Sequence, residues 1–243
     1  MAIIIGDIHS DIRKVQAFLA YEPAEQHICL GDLVDSRGLQ KATLSEELAC
    51  LDLLLGSEAT LLWGNHDLAY LLERPWKCFG HFGEFAFRDR YQAARNRFFA
   101  AYAVDGWLCT HAGLSRKIAA LMPAEVVAGG PEAIAMWLCA EFEIELTAPV
   151  PDIRRGEPRY GHGPLFGIPP CRGGYSEYGG IFWHDAEGEQ RLPSGICQQV
   201  FGHSPKPLPA CDDSWINLDT FADGSWVLNT KTMEIMNLEE SKS

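Results

Sequence analysis

Short apolar runs recur along the first half of the chain, each cut off by a polar residue or glycine and followed by a stretch of helical spacing. "AIII" at 2–5 leads into a predicted helix over 12–20. "HICL" at 27–30 leads into "LSEELACLDLLLG" at 44–56, which has helical spacing and a glycine stop. "ATLLW" at 59–63 precedes "DLAYLLE" at 67–73, a helix that Pro75 should end. "RDRYQAARNRFFAAY" at 88–102 is predicted as a long helix with Phe98, Phe99 and Tyr102 as its core stripe, and "GWLCT" at 106–110 as the next strand. Strands and helices that alternate in this way belong to an α/β domain with an at least partly parallel sheet.

The rhythm changes after about residue 147. Residues 148–184 are rich in proline and glycine with no helical period, the mark of a functional or irregular loop. Beyond them "IFWH", "CQQVFG", "SWINL", "GSWVLNT" and "TMEIMNL" read as strands, expected to form a second, largely antiparallel sheet. The chain is therefore read as a single domain over 1–243, with 148–184 as a substrate-facing insertion.

Chemistry gathers where the apolar runs stop. "AIII" is followed by "GDIHSD", "HICL" by "GDLVDSRG", "ATLLW" by "GNHD", "GWLCT" by "HAG" and "CQQVF" by "GHS". Side chains two apart on an extended strand point the same way, so Asp7 and His9 can face one point. Taken alone, that first stretch could equally be a strand end with Ser10 or Asp11 capping the next helix. Ligands of open α/β sheets collect beyond the carboxyl ends of the strands, so the five segments should converge. Asp7, His9, Asp32, Asn65, His111 and His203 offer oxygen and nitrogen but no sulfur, a set suited to manganese, iron or zinc.

In order and spacing these segments resemble the signature of the calcineurin-like metallophosphoesterases: GD-x-H, GD-x-x-D, GNH-[DE], a lone His, then GH. The resemblance covers about residues 3–204 and lies nearest the phosphoprotein phosphatases and symmetrical diadenosine tetraphosphatases. It implies a four-layer α/β sandwich, two mixed β-sheets flanked by helices, around two divalent metal ions, first of all Mn2+, with Fe or Zn as alternatives. Asp7 and His9 would hold the first ion, Asp32 would bridge, and Asn65, His111 and His203 would hold the second. His66 would give a proton to the leaving group, oriented by Asp35. Arg37 and Asn65 would meet the substrate phosphate. Paired cations acidify a water and neutralise charge on phosphoryl oxygens, and a histidine titrating near neutrality suits the departing alkoxide.

The pattern also departs from its relatives. The phosphoprotein phosphatases continue their second motif as DRG, whereas "VDSRG" puts Ser36 in the arginine position and Arg37 one residue late, free either to reach the phosphate or to point away. Asp35 leans toward a phosphatase, while "WGNHDLAYLL" and "THAGLS" look closer to the tetraphosphatases. The expected substrates are phosphomonoesters, including phosphorylated protein side chains. A dinucleoside polyphosphate is the alternative, and a catalytically silent interaction scaffold the reading of another class.

Composition narrows the partners. A formal charge of −13 over 243 residues gives no basic face for general nucleic-acid binding, and no apolar stretch approaches a membrane span. The eight cysteines form no C-x-x-C pair, and with no leader in view a reduced cytoplasmic protein is expected. His27 reads as structural and Asp67 as a helix cap; His81, His162 and His184 match no ligand position. Arg154, Arg155, Arg159 and Arg172 lie among Tyr160, Phe166, Tyr175, Tyr178 and Trp183, which either hold a phosphate and a base or simply fill a second small core. The plainer reading is the core.

Overall fold

The structure, a computed structural model, describes residues 1–37, 42–71, 84–148, 163–221 and 224–239. Strand β1 (Ala2–Ile5) is apolar and buried at all its positions, so both of its faces must be covered. Ile3 and Ile5 pack with Val15 and Phe18 of helix α1 (Ile12–Ala20), while Ile4 packs with Cys109, Val200 and Leu228 in a separate cluster. Period-two alternation thus puts a helical layer on one side of β1 and a second sheet on the other.

The first sheet runs β11-β10-β1-β2-β3-β4, with β2 (Gln26–Cys29), β3 (Thr60–Leu62) and β4 (Phe98–Phe99) continuing in parallel from β1. On its other side β10 (Trp226–Asn229) and β11 (Glu234–Asn237) are antiparallel. The second sheet runs β5-β6-β7-β9-β8, made of β5 (Ala101–Val104), β6 (Trp107–Thr110), β7 (Gln198–Phe201), β8 (Ala210–Asp212) and β9 (Trp215–Asn217). Its central strands β6, β7 and β9 are parallel and its outer pairs antiparallel. Helices α2 (Leu44–Leu55), α3 (Asn65–Leu71) and α4 (Glu84–Ala93) join α1 in the larger core, and two short helices, α5 (Arg116–Ala119) and α6 (Ala124–Ala128), lead into α7 (Gly130–Thr147). Two mixed sheets flanked by helices make the expected sandwich.

Helix α1 has the predicted limits because Asp11 caps it, accepting from the N–H groups of Arg13 and Lys14. Helix α2 opens on a capping box between Thr43 and Glu46 and closes at Gly56.

Three expectations are corrected. The long helix over 88–102 stops at Ala93, and Phe98, Phe99 and Tyr102 sit in β4 and β5. Aromatics at these spacings suit a helix face, but aromatic residues also favour strands. Here Phe98 stacks on Trp63 at 4.2 Å between ring centroids, and the buried Ala100 carries the chain from one sheet to the other. The second sheet is not largely antiparallel, since β10 and β11 leave it to cover the open edge of β1. "IFWH" is a turn rather than a strand. Pro75, His81, Cys78 and the stretch with Arg154, Arg155, Arg159, Tyr160 and His162 lie outside the described residues.

Candidate metal centre

Each expected ligand leaves the carboxyl end of a strand: Asp7 and His9 follow β1, Asp32 follows β2, Asn65 follows β3, His111 follows β6 and His203 follows β7. The turns they occupy are sharp. His9, Asp32, Asp35 and His203 all have positive φ, at 49°, 51°, 63° and 68°. Such left-handed backbone in non-glycine residues costs on the order of 1–3 kcal/mol each and clusters at functional sites. The neighbouring loops are packed backbone on backbone. A Cβ on Gly31 would lie 2.6 Å from the Gly64 nitrogen, and one on Gly64 would lie 2.2 Å from Asp32. Only glycine lets the second and third motifs approach this closely.

The result is one buried cluster. The carboxylate oxygen Oδ2 of Asp32 lies 3.6 Å from His9 Nε2, 3.5 Å from His111 Nε2 and 4.0 Å from His66 Nε2. Asp7 Oδ2 is 3.5 Å from His9 Nε2. Asn65 Oδ1 is 2.8 Å from His111 Nε2 and 2.9 Å from His203 Nδ1. Two groups of potential ligand atoms, His9–Asp32–His66 and Asp32–His111–His203, each lie within 4.8 Å of one another and share Asp32.

The donor set fits cations. His9 Nδ1 faces the Asp35 carbonyl at 2.8 Å, and His111 Nδ1 faces the Leu30 carbonyl at 2.9 Å. A carbonyl only accepts, so in the neutral rings these nitrogens donate and both Nε2 atoms present lone pairs inward. His9 Nε2, Asp32 Oδ2 and His203 Nε2 are buried with no hydrogen-bond partner among the described residues. Acceptors aimed at acceptors in a buried space are what a positive ion relieves.

Protonation separates the histidines. Burial pushes His9 down, helped by Arg37, and burial with the Arg172 charge pushes His203 well down, so both favour the neutral, ligating form. His66 goes the other way: burial opposes its charge, but Asp32 and Asp35 outweigh it and raise its pKa. Its Nδ1 lies 2.7 Å from Asp35 Oδ2, and the buried Tyr70 hydroxyl donates to Asp35 Oδ1 at 2.5 Å. Arg37 points inward. Its Nη2 is 3.0 Å from Asp7 Oδ2 and its Nη1 is 2.7 Å from Asp219 Oδ1.

Four residues carry more than their sequence context suggested. Asp67 does more than cap α3: its buried carboxylate accepts from the N–H of Gly64 (2.9 Å), just before the helix, and also from the N–H groups of Asp32 (2.7 Å) and Leu33 (2.9 Å) and from the Tyr91 hydroxyl. It therefore ties two motif loops together. Tyr70 and Tyr91 stack at 5.9 Å between centroids, one holding Asp35 and the other Asp67. Asp219, at the end of "INLD", is buried, and burial together with the Asp7 charge pushes its carboxyl up to about 7. His27 is structural as expected, its ring nitrogens facing the carbonyls of Glu25 and Tyr21. Phe166 and Trp183 join the core, Tyr175 is exposed, and Arg172 pairs with Asp185 at 2.9 Å and donates to Ser204 Oγ at 3.0 Å.

This combination of fold and ligand set defines a metal-dependent phosphoesterase. The chain belongs to the calcineurin-like phosphoesterases, whose family profile matches residues 2–227. Among solved structures it is similar to a cold-active protein-tyrosine phosphatase of the psychrophile Shewanella sp., with 13% identity and a TM-score of 0.57 over 98% of this chain and 80% of that one. Another structure of a cold-active protein tyrosine phosphatase gives 12% identity and a TM-score of 0.53 over 90% of this chain and 69% of that one. At these identities the likeness is one of fold. No protein of curated function matches the chain. No helix among the described residues is long and apolar enough to cross a membrane.

Proposed function

We infer that the chain hydrolyses phosphomonoesters, phosphorylated protein side chains among them, with Asp7, His9, Asp32, Asn65, His111 and His203 holding two divalent ions, manganese first. The observation that carries this reading is the shared Asp32 carboxylate, placed between two groups of buried nitrogen and oxygen ligands. When bound, the ions would supply Lewis-acid charge for the phosphoryl oxygens and an acidified water. The facing carboxylates of Asp32 and Asp35 raise the His66 pKa and so favour its protonated form, whose Nε2–H gives the proton to the departing oxygen. Asp35 fixes the tautomer by accepting from Nδ1, and Tyr70 fixes Asp35. Arg37 stands against Asp7 with a forked cation that can chelate a phosphate as it enters, and Asn65 completes the phosphate contacts. Seven unpaired thiols among the described residues support a reducing, cytoplasmic setting.

Turnover of p-nitrophenyl phosphate by manganese-loaded protein tests the reaction, and rates on a phosphopeptide and on diadenosine tetraphosphate at equal enzyme test the substrate. A dinucleotide preference of orders of magnitude would replace phosphomonoesters by dinucleoside polyphosphates; absence of metal and turnover would leave the scaffold reading. His66→Asn should slow alkyl phosphates by about 10²–10⁴-fold and activated aryl esters far less. Equal loss on both would contradict proton donation by His66.

A further inference from the structure

Beside the metal centre the structure holds a cavity of about 140 Å³ that this chemistry does not use. Its walls are mostly apolar, with Ala112, Phe201, Leu192 and Trp215 among them. Ala112 directly follows His111, and Ser204, also in the wall, directly follows His203. The cavity therefore begins one residue away from two of the metal-facing imidazoles.

One wall residue is out of place in such surroundings. His184 is 2% exposed and lines the cavity, yet neither ring nitrogen has a hydrogen-bond partner among the described residues. The Glu189 carboxylate stands 4.0 Å from its Nδ1, beyond hydrogen-bond reach. The other polar wall residues are engaged. Asp185 pairs with Arg172, Ser204 accepts from Arg172, Lys206 pairs with Glu187, and Asn217 donates to the Ser204 carbonyl. A buried imidazole left unpaired is costly, and the neutral ring offers one donor and one acceptor.

We propose that this cavity receives the nucleobase of a nucleoside phosphate, His184 hydrogen-bonding its polar edge while its phosphate lies at the metal centre. Resting on the phosphomonoester reading, this narrows the substrate class of the same site. Cavities on the order of 150 Å³ take up a single aromatic ring. A phenyl ring would fill the apolar walls and leave His184 unpaired, whereas a base brings donors and acceptors in its own plane. Phe201 and Trp215, 5.7 Å apart between centroids, supply aromatic surface for it. Ribose is the spacer that would carry a base in this cavity to a 5′-phosphate at the metal-facing loops, whose His111 and His203 directly precede the wall residues Ala112 and Ser204.

The test uses the manganese-loaded full chain, with p-nitrophenyl phosphate as reporter and adenosine, uridine, ribose and benzyl alcohol as inhibitors. Competitive inhibition by a nucleoside, at concentrations where ribose and benzyl alcohol leave the rate unchanged, is the expected result. His184→Leu should lower kcat/KM for the matching nucleoside 5′-monophosphate, relative to p-nitrophenyl phosphate, by tenfold or more. His184→Gln, which keeps a donor and an acceptor, should recover most of that ratio. Inhibition by benzyl alcohol as strong as by either nucleoside, or an unmoved ratio in His184→Leu, would overturn the proposal while the phosphoesterase reading stands. Should p-nitrophenyl phosphate not be turned over at all, that reading fails instead; quenching of tryptophan fluorescence by the nucleosides, and its loss in Trp215→Phe, then decides the pocket by itself.

Discussion

Two regions meet at the metal centre, and they are held by different kinds of side chain. At the ends of β1, β2 and β3 the clamps are short. Asp67 gathers three backbone N–H groups, Asp32 accepts from the His66 N–H, and Asp7 accepts from the His203 N–H. Along residues 163–193 the clamps are long. Glu145 accepts from the Leu165 N–H, Glu189 accepts from the N–H groups of Gly179 and Asp185, and Arg172 reaches both Ser204 and Asp185. Long side chains give up more rotamer freedom when fixed, so holding a loop with them costs more conformational entropy than holding it with a buried aspartate. The first region sets the candidate ligand atoms in place; the second supplies much of the wall of the cavity beside His184.

The largest effect should follow from breaking a short clamp. Asp67→Asn turns an amide NH₂ toward N–H donors, and each buried donor left unpaired costs about 1–3 kcal/mol. Manganese affinity, read by calorimetric titration, should fall roughly 10–100-fold, with a lower Tm. An affinity within a factor of two of the parent would mean that Asp67 does not position the ligands. Tyr70→Phe is a finer cut. A hydrogen bond to a charged group contributes about 1.5–3 kcal/mol, so kcat on alkyl phosphates should drop roughly tenfold while p-nitrophenyl phosphate changes little. Equal loss on both substrates would make Tyr70 a packing residue only.

The smallest effect belongs to the second region. Burial pushes the Glu145 carboxyl up to about 7 from an ordinary 4.5. Between these values the folded chain binds more protons than the unfolded one, so this group's stabilisation is complete below about pH 4.5, declines as pH rises, and is lost above about 7. Glu145→Gln removes the buried charge and should raise Tm at pH 8 by roughly 2–4 °C, a gain that disappears at pH 4. A gain of equal size at both pH values would contradict this origin.

The same contrast decides what the sequence could reveal. Asp7, His9, Asp32, Asn65, His111 and His203 stand in short motifs at the ends of apolar runs, where strand geometry alone says which way they face. Asp67 was hidden because an acid at the start of a helix reads as a cap, and its partners Asp32 and Leu33 are far away in the chain. Tyr70 and Tyr91 stand in helical stretches with nothing nearby in sequence to mark them; their hydroxyl partners exist only in three dimensions. Asp219 follows an apolar run as the ligands do, but without the glycine or histidine that marked theirs. The placement of β10 beside β1 and the strand at Phe98–Phe99 depended on pairing and packing across the fold, which local periodicity does not encode. His184 is a histidine without a motif, and only its burial beside a cavity gives it a meaning.

The proposed reaction needs two ions held by the groups around Asp32, and counting bound metal tests this directly. Metal analysis of manganese-loaded protein after gel filtration should give about two ions per chain, falling by one in His9→Ala and by one in His203→Ala. Both variants retaining the parental count, or a parent chain that holds none, would contradict the account.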